Sequence, residues 1–67
     1  MNSGYFVKIE RQDQGMAFLV TWSRGELRQH RAFGLLPRAM AFAEDFIGGP
    51  LEHNVDQWGG ETWWAAK

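Results

Sequence analysis

A chain of 67 residues holds one small domain, near the size at which a lone hydrophobic core needs a staple or a partner. It has no cysteine, which excludes disulfides, thiolate metal sites and thiol catalysis and suits a cytosolic protein. The net charge of −1 leaves little counterion-release drive toward nucleic acid, Met1 to Tyr5 lacks the pattern of a secretory signal, and no apolar run approaches a membrane span.

Tyr5, Val7 and Ile9 alternate with Phe6, Lys8 and Glu10, and alternation resumes with Met16, Phe18, Val20 and Trp22 after Gln12-Asp13-Gln14-Gly15. A four-residue loop pairs Arg11 with Met16, and hence Ile9 with Phe18, Val7 with Val20 and Tyr5 with Trp22. A second turn at Arg24-Gly25 leads into Glu26 to Phe33, polar enough for an edge strand. It places Leu27, Gln29 and Arg31 on the core side and Arg28 and His30 outward. The outward rows then read Phe6-Thr21-Arg28, Lys8-Leu19-His30 and Glu10-Ala17-Ala32.

A helix follows, started by Pro37 in its first turn and stopped by Gly48-Gly49-Pro50. At about 100° per residue, Phe42, Leu35, Phe46, Ala39, Ala43, Leu36, Ile47 and Met40 share one wide arc. So broad a face must pack on a sheet, with Ala39 and Ala43 permitting close approach and Phe42 and Phe46 reaching the margins. Leu51 to Asn54 reads as a loop. Beyond it Gly59-Gly60 marks a turn that either makes a short hairpin or lets Glu61 to Ala65 join the main sheet, the latter being preferred. Trp63 and Trp64, adjacent in a strand, point to opposite faces. The expected fold is α+β: residues 1–67 form one domain, a three-stranded antiparallel sheet packed against one α-helix (β-β-β-α), with a C-terminal strand or short hairpin.

Catalytic motifs are missing: there is no nucleophile elbow and no phosphate-cradling glycine loop. His53 with Glu52 and Asp56 reads as a solvated loop cluster, His30 as an edge-strand surface residue, and Glu44 and Asp45 diverge on the helix. No enzyme activity, metal or cofactor is expected. Charge is mildly bipolar: residues 1–34 are net positive and residues 35–67 net negative.

A three-stranded sheet backed by one helix is similar in broad architecture to AP2-type and integrase arm-binding domains, which read DNA with the sheet. On that analogy Lys8, Arg24, Arg28 and His30 would contact phosphates. The central strand departs from the pattern, offering Ala17, Leu19 and Thr21 where such a reader would place arginines. Protein binding fits the residues better. Phe6 and Leu19 face outward with no helix to cover them. Three of the four tryptophans crowd the last ten residues, where they serve either as a structural latch or as a docking surface. The expectation is a non-enzymatic module that binds a protein partner, or a second copy of itself, and acts sterically as a small inhibitor or adaptor, a class that phages and mobile elements direct at host systems. Its expected anchors are Trp63, Trp64, Phe6 and Leu19, with Arg24 and Arg28 at the rim.

Overall fold

The computed structural model describes residues 4–11 and 17–67. In chain order they form β1 (Tyr5–Arg11), β2 (Phe18–Arg24), β3 (Leu27–Phe33), α1 (Leu36–Ile47), β4 (Glu52–Val55) and β5 (Glu61–Ala66). The strands make one antiparallel sheet in the order β3-β2-β1-β5-β4. The α+β class holds, but the sheet has five strands instead of the expected three. The two C-terminal alternatives coexist: β4 and β5 form a hairpin, and β5 joins the main sheet by pairing with β1. Mutual backbone hydrogen bonds between Tyr5 and Lys67 carry that ladder one residue past the strand.

Glu52 to Val55, read from sequence as mostly loop, is a strand because a specific turn folds it back. The Asp56 carboxylate accepts hydrogen bonds from the backbone N–H of Trp58 at 2.9 Å and of Gly60 at 2.7 Å, and Gly59 sits at φ 83°. Such an Asx turn closes the hairpin by local chemistry alone. Its register pairs Val55 with Glu61 and His53 with Trp63.

Both remaining hairpins sit two residues from the expected register. Ile9 faces Val20, Val7 faces Trp22 and Arg11 faces Phe18, because the β1–β2 connection spans residues 12–17. Arg11 therefore does not pair with Met16 as expected, and Gln12 to Met16 themselves lie outside the described residues. In the next hairpin Arg24 faces Leu27 and Thr21 faces His30, so the turn residues are Gly25 and Glu26. Gly25 has φ 66°, the left-handed value that a type II′ turn requires at its first central position, which pins the turn one residue later than expected. A shift of two residues changes every cross-strand neighbour and no side-chain face. Leu27, Gln29 and Arg31 therefore still lie on the helix side, and Arg28 and His30 on the opposite side.

The helix lies over β1, β2 and β3. Ala39, Ala43 and Ile47, spaced at four residues, are buried against Val7, Ile9 and Val20, so the small central side chains do let the backbones approach. Phe42 reaches Trp22 and Phe33 with ring centroids 4.7 and 5.5 Å away, and Phe46 reaches Tyr5 at 5.6 Å. Gly48 ends the helix in the left-handed conformation, donating its N–H to the Glu44 carbonyl at 2.7 Å. Leu35, expected on the buried arc, is instead the N-cap residue in extended conformation and is 57% exposed. Helical angular bookkeeping does not extend to a residue outside the helix. No helix among the described residues is long and apolar enough to cross a membrane.

Candidate functional site

Strand parity separates the C-terminal tryptophans. Trp63 faces the helix and completes the core, 7% exposed, with its ring edge-on to Phe18 at 6.5 Å. His53 of β4 stacks on it with the ring planes 3° apart and centroids 4.9 Å apart. His53 Nε2 lies 3.2 Å from Glu61, whose other oxygen pairs with Arg11 at 3.4 Å, so a chain of polar groups rims this end of the core. His53, Glu52 and Asp56 do not converge: they occupy the helix face, the outer face and the hairpin turn. Among the described residues no three His, Asp or Glu side chains are grouped to hold a metal, and no charged side chain is buried.

Trp64 lies on the other face of the sheet, which no described element covers. It is half-buried, opposite Lys8 on β1, and its ring is 6.4 Å from that of Phe6. The rows of this face, read from β3 toward β4, are Arg28-Ser23-Phe6-Ala66, His30-Thr21-Lys8-Trp64-Glu52 and Ala32-Leu19-Glu10-Thr62-Asn54. The structure thus brings Phe6 and Trp64 together as diagonal neighbours, with Lys8 beside Trp64 in its row and Arg28 and His30 on the far edge. It separates Leu19 from Phe6 by one intervening row, about 13 Å along the strands. Lys8 is held by Glu10 on its own strand at 3.5 Å.

Of the remaining expected site residues, Trp63 is in the core and Arg24 lies on the helix face, its guanidinium over the Tyr5 ring at 5.3 Å. Neither shares a surface with Phe6 and Trp64. Two exposed features lie outside the expected anchors. Trp58 projects from the β4–β5 turn, 83% exposed, and Leu27 at the start of β3 is 66% exposed. The Asp56 and double-glycine spacing was the available signal for the first. Comparison with family models, curated proteins and solved structures gives no match.

Proposed function

We propose that this chain is a non-enzymatic protein-binding module that works sterically, as a small inhibitor or adaptor, through the outer face of its sheet. The observation that carries this reading is the Phe6–Trp64 pair, two half-buried aromatic rings 6.4 Å apart on a sheet face that no described element covers. Paired aromatics bury large area at low entropy cost and anchor interfaces, while Lys8, His30, Arg28 and Glu52 supply a polar surround. That no described ionisable side chain is buried supports the non-enzymatic part, since catalytic acids and bases gain their tuning from burial.

Affinity capture with the tagged chain from nuclease-treated host lysate, run beside Trp64→Ala and Phe6→Ala, tests the reading. A stoichiometric protein captured by the parent and lost by folded variants supports it; undiminished capture by both variants refutes it. A second reading rests on the same face: Lys8, Arg28 and His30 beside the half-buried Phe6–Trp64 pair make a stacking and phosphate surface for single-stranded nucleic acid. It requires binding that weakens steeply with salt.

A further inference from the structure

We infer that the free edge of β3 accepts an extended acidic segment of a partner protein, which adds as a new strand. This rests on the protein-binding reading and names the partner's chemistry. Strand β3 pairs without interruption along all seven residues, and six of the seven are exposed. Edge strands usually carry a device that blocks further pairing: shortness, a proline, a bulge or charged side chains. The opposite edge, β4, has four residues and follows closely on Pro50. β3 is guarded only by charge, that of Arg28 and Arg31, which repels a basic strand and not an acidic one.

The two-residue turn makes Arg24 and Leu27 a hydrogen-bonded pair, so alternation commits the backbone groups of Leu27, Gln29, Arg31 and Phe33 to β2. The N–H and C=O of Arg28, His30 and Ala32 point to the open edge. The same edge is basic on both faces. Arg28 and His30 stand on the outer face and Arg31 on the helix face, and among the described residues none of the three is ion-paired. Like charges disfavour β3 pairing with β3 of a second copy. An acidic strand meets no such penalty.

The helix face beside this edge holds a concavity of about 190 Å³ lined by Trp22, Arg24, Leu27, Gln29 and Phe46. A strand laid along β3 turns alternate residues toward that side, so the residue opposite Gln29 is positioned to put an apolar side chain there. Its neighbours, opposite Arg28 and His30, face the Arg28 guanidinium and the His30 imidazole. The partner segment is therefore an alternation of acidic and large apolar residues, read by the β-augmentation mode.

The test is a fluorescence-polarisation titration of the full chain with a capped, fluorescein-labelled seven-residue peptide of alternating glutamate and leucine, against its lysine-for-glutamate counterpart. The acidic peptide binds on the order of tenfold or more tighter than the basic one, and Arg28→Glu with Arg31→Glu inverts the preference. His30→Pro, which removes an edge donor while sparing the bonds to β2, abolishes binding in a chain whose amide NMR spectrum stays dispersed. Equal binding of both peptides, no acidic-peptide binding, or full binding by folded His30→Pro overturns the inference. So does displacement of the peptide by a thymidine oligonucleotide at lower concentration than by unlabelled acidic peptide. Failure here with the captured partner still lost by Trp64→Ala overturns the edge assignment alone; failure of both experiments overturns the protein-binding reading with it.

Discussion

Trp63 and Trp64 are neighbours in sequence with opposite structural roles, and truncating each in turn separates them energetically. Trp63 is 7% exposed among Ile9, Phe18 and His53, so Trp63→Ala removes a core plug and leaves a cavity, a cost of about 3–5 kcal/mol. A 67-residue domain has a total stability of roughly 3–10 kcal/mol, so this one change removes from about a third to all of it. Trp64 is half-buried on an uncovered face, and its loss forfeits a partial burial and one aromatic contact, about 1–2 kcal/mol. Urea denaturation followed by far-UV circular dichroism reads the difference. With a slope near 1 kcal/mol per molar urea, Trp63→Ala lowers the midpoint by roughly 3 M or leaves the chain unfolded in buffer, and Trp64→Ala lowers it by about 1–2 M. Trp63→Phe keeps an aromatic in the site and gives a measurable intermediate case. Equal shifts for the two alanine variants, or a larger one for Trp64, would refute the assignment of core and surface roles.

Other substitutions test the local arguments, each by the same denaturation. Leu35→Asp gives the helix a side-chain cap it lacks, in a residue already extended at φ −130° and ψ 132°, and raises stability by about 1 kcal/mol. Gly60→Ala places a Cβ 2.8 Å from Asp56 Oδ2, on the carboxylate whose other oxygen accepts the two N–H groups, and costs about 1–2 kcal/mol with accelerated amide exchange at Trp58. Ala43→Leu forces a large side chain between helix and sheet where Ala43 has no exposed surface, a loss of about 1–3 kcal/mol. Arg11→Ala, by contrast, breaks a largely solvated ion pair with Glu61 and changes stability by about 0.5 kcal/mol or less.

The helix and the first two strands were legible because they rest on burial patterns, and β3, six of whose seven residues are exposed, because the turn at Gly25 announces it. Period-2 alternation put Val7, Ile9 and Val20 on one side, and the small stripe of Ala39 and Ala43 fixed which helix face meets them. Strand β4 was hidden for the same reason in reverse: all four of its residues are exposed, so it leaves no apolar trace. It is held by backbone pairing to β5 and by the Asp56 turn. A polar edge strand of this kind is written in turn chemistry, where the spacing of Asp56 to Gly59-Gly60 was the clue.

Surface patches are harder to read than cores, and the two-residue register shift shows why. A side chain's face depends only on parity, so an error of two leaves the core unchanged and the burial pattern cannot detect it. A patch depends on which residues are cross-strand neighbours, and there the same error decides everything. It moved Leu19 from beside Lys8 and His30 to beside Glu10 and Ala32, and put Thr21 between Lys8 and His30. The fifth strand then brought Trp64 next to Lys8 and within reach of Phe6, an aromatic pair that no three-stranded arrangement contains. What set the β2–β3 register was one glycine: only a residue free to hold φ 66° can open a type II′ turn, so Gly25 determines where β3 begins and therefore which cations line its free edge.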